Sequence, residues 1–227
     1  MPRVLITGAN RGIGLEFARQ YAEAGWIVYA TARDPARADD LRALPGEVTL
    51  LPFDAGDDAS IEALAAALTD VPLDLIIPCA GVGGRSQQAG DVTFADWSEA
   101  IGINTFAPFR LAVALRANLE RGERKTLAGV SSLAASLGSG YSVQGQYVYR
   151  ASKAALNALW RNLSVEWRPL GITCLVLRPG RVRTRMTDFS GDLSVEESVS
   201  GMRRVIDGAG LEQSGRFFGY DGREVAW

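Results

Sequence analysis

Apolar residues in this chain fall into short unbroken runs, and the stretches between the runs repeat their apolar positions every three or four residues. Arg3 to Thr7 is a run of Leu and β-branched residues. It meets Gly8-Ala9-Asn10-Arg11-Gly12-Ile13-Gly14 and continues into an amphipathic stretch, Leu15 to Ala24, a pattern that predicts strand, glycine loop and helix. Gly25 is placed to close that helix, and Trp26 to Thr31 supplies a second strand. The alternation predicts a short helix around Pro35 to Ala43, a strand over Val48 to Phe53, a helix near Ser60 to Leu68 and a strand over Leu73 to Cys79. Helical pattern returns from Phe94 to Leu119, with a bend expected near Pro108, and Leu127 to Ser131 is the next strand. A long helix from about Tyr147 to Trp167, a strand over Ile172 to Leu177, a helix around Val195 to Ala209 and a short strand near Arg216 to Gly219 complete the series. Gly138-Ser139-Gly140 and the Thr184 to Asp192 region read as exposed loops.

Strands that are apolar throughout, alternating with helices, belong to a parallel sheet covered on both faces. The predicted class is α/β: a single doubly wound, Rossmann-type parallel sheet, with residues 1–227 forming one dinucleotide-binding and catalytic domain. With 227 residues, 47% of them hydrophobic, the chain can fill such a core. A formal net charge of -2 offers no basic field for nucleic acid or an anionic membrane. No signal-peptide pattern opens the sequence and no apolar stretch approaches the roughly 18 residues a membrane span needs, so a cytoplasmic protein is expected. The two cysteines, Cys79 and Cys174, lie in apolar runs and read as buried reduced thiols. The sequence contains no histidine, which removes His-based triads and His-ligated zinc sites, and no metal is predicted.

In a doubly wound sheet, ligands bind at the carboxyl ends of the strands, where a glycine turn and a helix N-terminus meet a pyrophosphate. Gly8, Asn10, Arg11, Gly12, Ile13 and Gly14 stand there and are expected to line a dinucleotide cofactor. Glycine spacing alone also makes bare tight turns; the flanking strand and helix favour the cofactor loop. At the end of the second strand an acidic residue would accept from a ribose hydroxyl and a basic one would accommodate a 2′-phosphate. Thr31-Ala32-Arg33-Asp34-Pro35 contains both. Asp before Pro is a natural cap for the following helix, so Asp34 is assigned to capping and Arg33 to the phosphate. Arg11 adds a second positive charge, or is a solvated loop arginine. NADP(H) is therefore preferred over NAD(H). Asp54 is placed to hydrogen-bond the adenine, an ordinary turn aspartate being the other reading.

Tyr149-Arg150-Ala151-Ser152-Lys153 lies near the start of the long helix, where residues four apart share a face. A lysine ammonium beside a phenol stabilises phenolate and makes tyrosine a usable general acid or base near neutral pH. Tyr147 has alanine four residues on and lacks this partner.

Together with Thr7-Gly8-x-x-x-Gly12-x-Gly14, Asn104, Ser131-Ser132 and Arg178-Pro179-Gly180-Arg181-Val182-Arg183-Thr184, this motif makes the chain resemble the short-chain dehydrogenase/reductase family over essentially its whole length. Tyr147 to Asn157 and the segment Gly219-Tyr220-Asp221-Gly222 to Trp227 look like its C-factor-like and sniffer-like carbonyl reductase branch. The resemblance implies roles. Tyr149 would protonate a carbonyl oxygen, Ser132 would hydrogen-bond that oxygen, Lys153 would hold the nicotinamide ribose, and Asn104 would support a proton-relaying water. Ala80 and Gly81 would approach the cofactor, and Pro179, Gly180, Val182 and Thr184 would lie beside the nicotinamide. Ser131 is the alternative to Ser132.

The chain departs from the family pattern where Pro78-Cys79-Ala80-Gly81 replaces Asn-Asn-Ala-Gly, losing asparagines that tie neighbouring strands. Gly138 to Gln146 reads as an insertion, and the region after Thr184 is short. The implied activity is hydride transfer between NADP(H) and a small carbonyl or alcohol substrate, the alternative being an NADP-binding regulatory or signalling protein with little turnover. Ser136 to Gln146 and Met186 to Leu193 are expected to line the substrate pocket. Family habit suggests a homo-oligomer, a dimer or tetramer.

Overall fold

The computed structural model of the protein describes residues 1–83, 88–140 and 145–227. Among the described residues, seven parallel strands form one sheet in the order β3-β2-β1-β4-β5-β6-β7. They are β1 (Arg3–Ile6), β2 (Ile27–Ala32), β3 (Val48–Pro52), β4 (Leu75–Ile77), β5 (Thr126–Val130), β6 (Thr173–Arg178) and β7 (Phe217–Gly219). The helices between them are α1 (Gly12–Glu23), α2 (Asp39–Arg42), α3 (Asp58–Ala67), α4 (Phe94–Ile101), α5 (Ala107–Ala114), α6 (Arg116–Arg121), α7 (Tyr147–Glu166) and α8 (Val195–Gly208). Among the described residues no helix is long and apolar enough to cross a membrane.

Alternation along β1 shows why Val4, Leu5 and Ile6 are all apolar. Val4 and Ile6 join a core with Phe17 and Tyr21 of α1 and Val199, Met202 and Ile206 of α8, while Leu5 joins the opposite core with Leu64, Leu111, Leu156 and Trp160. Each face is thus sealed by helices, and a strand buried on both sides favours apolar residues at successive positions.

The strand order reverses between β2-β1 and β4-β5, so the carboxyl ends of β1 and β4 flank the switch point at which doubly wound sheets hold their ligands.

Two expectations need correction. The segment expected to be helical over Pro35 to Ala43 is a 3₁₀ turn, Pro35–Arg37, followed by the single-turn α2. The pattern from Phe94 to Leu119 is broken at a π-helical segment, Gly102–Phe106, before the proline, and α5 and α6 then divide at Leu115. Pro108 itself lies within the first two positions of α5 and continues the helix. Proline has no N–H, so it withholds from the carbonyl of Asn104 the donor an ordinary α-turn would provide. The register therefore slips by one residue ahead of Pro108.

Candidate active site

β1 ends at Ile6, and the chain turns sharply through Gly8 at φ +63°. A Cβ on Gly8 would fall 2.8 Å from the Cα of Ala80, closer than carbon atoms pack, so only glycine allows the loop to lie against the end of β4. Thr31 of β2 fixes the turn from the other side: its hydroxyl accepts from the Gly8 N–H at 3.3 Å and its carbonyl from the Ala9 N–H at 2.8 Å. On Gly14, a Cβ would lie 2.4 Å from the Gly8 carbonyl oxygen, so α1 packs directly on the loop.

The first turn of α1 carries no acidic residue, and Arg11 at its N-cap makes no side-chain capping bond. Asn10 and Arg11 are exposed, and Gly12 and Ile13 are half-buried at the helix entrance. N–H groups of a first helical turn lack intrahelical acceptors and attract anions. The loop is thus shaped and charged for a phosphate group.

Arg33 follows β2 beside this loop and is exposed. Asp34 is occupied: its carboxylate accepts the Ala36 N–H at 3.0 Å and caps the Pro35–Arg37 turn, as expected. At the end of β3, Asp54 is exposed and its carboxylate accepts from the Gly56 N–H at 2.9 Å, the geometry of the turn reading. Its second oxygen stays available to a ligand.

Thr7 ties the end of β1 to the segment after β4. Its hydroxyl accepts the N–H groups of Cys79 and Ala80, both at 3.1 Å, and its own N–H donates to the Ile77 carbonyl at 3.1 Å.

Beyond Ala80, Gly81 faces the centre of the site. A Cβ there would fall 3.0 Å from Asn104 Oδ1 and 3.7 Å from Lys153 Nζ, which locates both side chains at this one point. Asn104 is fully buried in the π segment, its Oδ1 accepting the Val82 N–H at 2.9 Å and its Nδ2 donating to the Val82 carbonyl and to Ser152 Oγ, each at 3.0 Å. Thr105 Oγ1 donates to the Ser152 carbonyl at 2.7 Å, and Ser152 Oγ to the Tyr149 carbonyl at 2.8 Å. The π segment is therefore bolted to the turn of α7 that carries Tyr149.

Lys153 Nζ donates to the Val130 carbonyl at 2.9 Å. Burial lowers its ammonium to about 8, with the neighbouring Cys79 thiol acting in the opposite sense. The Cys79 thiol is pushed up to about 12 by removal from water, Lys153 opposing. Cys79 and Cys174 are both free thiols.

The two serines are separated by their partners. Ser131 Oγ donates to Asn157 Oδ1 at 2.6 Å inside the core. Ser132 is half-buried at the turn after β5, with its hydroxyl accepting from the Ala134 N–H at 3.2 Å, which leaves its proton to donate. Arg150 Nε, next to Tyr149, donates to the Ala134 carbonyl at 3.1 Å, so the Ser132 turn and the start of α7 are joined. Tyr149 is half-buried, whereas Tyr147 is 48% exposed at the first position of the helix.

After β6, Pro179 and Gly180 make the turn and Val182 is buried. The Thr184 γ-methyl would lie 3.7 Å from a Cβ on Gly12, so this segment reaches the glycine loop, and Met186 packs 2.9 Å from the position of a Cβ on Gly83. The part of the proposed pocket lining at residues 141–144 lies outside the described residues. Thr7, Thr31, Thr105, Arg150 and Ser152 escaped the sequence reading because each acts by tying backbones together. For Thr7 and Ser152, their places inside the two motifs were the available signal.

A family model described as short chain dehydrogenase matches residues 2–192. The chain belongs to the short-chain dehydrogenase family. Within it, 167 residues are 41% identical to the C-signal of Myxococcus xanthus, a match covering 74% of this chain and 100% of that protein. The NADPH-bound carbonyl reductase from chicken fatty liver superposes with a TM-score of 0.91 at 36% identity, covering 100% of this chain and 99% of that one. Carbonyl reductase Sniffer of Drosophila melanogaster superposes with a TM-score of 0.92 at 29% identity over 100% of both. These similarities place the chain in the C-factor-like and sniffer-like branch of the short-chain dehydrogenases.

Proposed function

We propose that the protein is an NADP(H)-dependent carbonyl reductase in which Tyr149 is the general acid. The observation that carries the reading is the convergence of Gly81, Asn104 and Lys153 at one point, one helical turn from Tyr149, at the end of a glycine cradle built for a pyrophosphate.

The cradle fits a dinucleotide: its glycines leave backbone where side chains would stand, the α1 N-terminus faces it, and Arg11 and Arg33 supply cations for a 2′-phosphate. When bound, NADPH supplies a hydride to a carbonyl carbon. Ser132 donates a hydrogen bond to the carbonyl oxygen and Tyr149 delivers the proton to it. Lys153, charged below about pH 8, favours phenolate once that proton has left. Asn104, whose side chain meets Lys153 at Gly81, supports a water through which the proton is restored. Pro179, Gly180, Val182 and Thr184 form the opposite wall and hold the nicotinamide end.

The test follows NADPH absorbance with a panel of small ketones and aldehydes. Carbonyl-dependent oxidation of NADPH supports the reading. A second reading, an NADP-binding signalling protein with little turnover, is favoured by the 41% identity to the C-signal. Tight NADPH binding with no turnover on any carbonyl compound would select it.

A further inference from the structure

We propose that Trp227 is a positioning residue for the substrate-facing wall, acting through residues 136–139. The inference rests on the reading of Ser132 and Tyr149 as the carbonyl site, because the chain between these two residues is the segment the contact holds.

Residues 223–227 run back across β7 to that segment. The Gly219 N–H donates to the Arg223 carbonyl at 2.8 Å and the Val225 N–H to the Phe217 carbonyl at 2.7 Å, with an antiparallel bridge between Phe218 and Glu224. The strap then lands on the Ser132 side. Ser136 Oγ donates to the Ala226 carbonyl at 2.5 Å and the Gly138 N–H to the Trp227 carbonyl at 2.7 Å. The same Ser136 hydroxyl accepts the Ser139 N–H at 3.0 Å. A Cβ on Gly138 would fall 3.0 Å from the Trp227 carbonyl oxygen, so the two backbones are in contact. The Trp227 ring lies 5.7 Å from that of the buried Phe217, which anchors the strap to the sheet.

At its other end the strap meets the Pro179-Gly180 turn. The Tyr220 N–H donates to the Arg178 carbonyl at 2.9 Å, Arg178 lies over the Tyr220 ring at 5.9 Å, and the ring comes within 2.9 Å of where a Gly180 Cβ would be. One continuous stretch, residues 217–227, therefore spans from the nicotinamide-side turn to the loop that leaves Ser132. The Ser136 N–H closes the preceding turn on the Leu133 carbonyl, and beyond it the strap holds the segment through the Ser136 hydroxyl and the Gly138 N–H. Loosening Trp227 releases this wall, whereas the glycine loop at the end of β1, held by Thr31 and packed on Ala80, keeps its contacts.

The test combines amide hydrogen exchange with steady-state kinetics on the full chain. Trp227→Ala is expected to speed exchange at Gly138 and Ser139 about tenfold. It should raise KM for the carbonyl substrate by a similar factor with NADPH affinity unchanged. Trp227→Phe, which keeps a ring against Phe217, should restore both. Ser136→Ala, a single-hydroxyl change, should shift both in the same direction even if Trp227→Ala folds poorly. Unchanged exchange in Ser136→Ala and Trp227→Ala, or faster exchange with an unaltered carbonyl KM, would overturn the proposal. Absence of turnover in the wild type would instead strike the carbonyl reading, and the exchange rates would still decide whether the strap holds the wall.

Discussion

Lys153 has 7% of its surface in water, and this burial brings its ammonium down toward neutral pH. Its folded value of about 8 lies below the ordinary lysine value near 10.4, so between these the unfolded chain binds the extra proton. The Lys153 contribution to apo stability therefore rises as pH increases from about 8 to about 10, and urea melts of wild type against Lys153→Met should show the variant losing that rise. Carbonyl reduction moves the opposite way: it should decline above about pH 8 as the ammonium and its effect on Tyr149 are lost. Gly81→Ala would force a methyl to 3.0 Å from Asn104 Oδ1, and we expect a fall in turnover of at least about tenfold from displaced site groups, read in the same assay. At this scale the sequence was legible where one residue type has one use, as with Asp34 before Pro35. The separation of Ser131 from Ser132 needed the partner, Asn157, because two adjacent hydroxyls carry the same chemistry until one is engaged.

Among the elements, the π segment Gly102–Phe106 joins the end of β4 to α7. Asn104 joins it to Val82 and Ser152, and Asn104→Ala would leave the half-buried Val82 N–H and the buried Ser152 hydroxyl without this partner. The expected loss is about 2–3 kcal/mol in stability, measured by denaturant unfolding, together with a drop in activity. Strands and long helices were legible from periodicity, since burial on both faces or one face imposes it directly. The π segment was not, because a one-residue slip leaves hydrophobic spacing almost intact and shows only in the hydrogen-bond register. Pro108 was the visible sign of it, one turn downstream.

For the whole molecule, the strand order puts the glycine loop of β1 beside the end of β4, and β5, with Ser131 and Ser132 after it, on the other side of β4. The doubly wound class followed from alternating strands and helices, whereas the tie made by Thr7 across β1 and β4 followed only from knowing which strands are neighbours. If Arg33 meets a 2′-phosphate, Arg33→Ala should weaken NADPH binding by about tenfold or more and leave NADH binding nearly unchanged, as read by titration or by the shift in unfolding temperature with ligand. An equal effect on both cofactors would remove Arg33 from that role. The central claim, carbonyl reduction with Tyr149 as acid, is tested most directly by Tyr149→Phe, measuring NADPH binding and carbonyl-dependent NADPH oxidation on the same sample. We predict binding within a few-fold of wild type and a rate lowered by about 10²–10⁴; a variant that turns over at the wild-type rate would contradict the account.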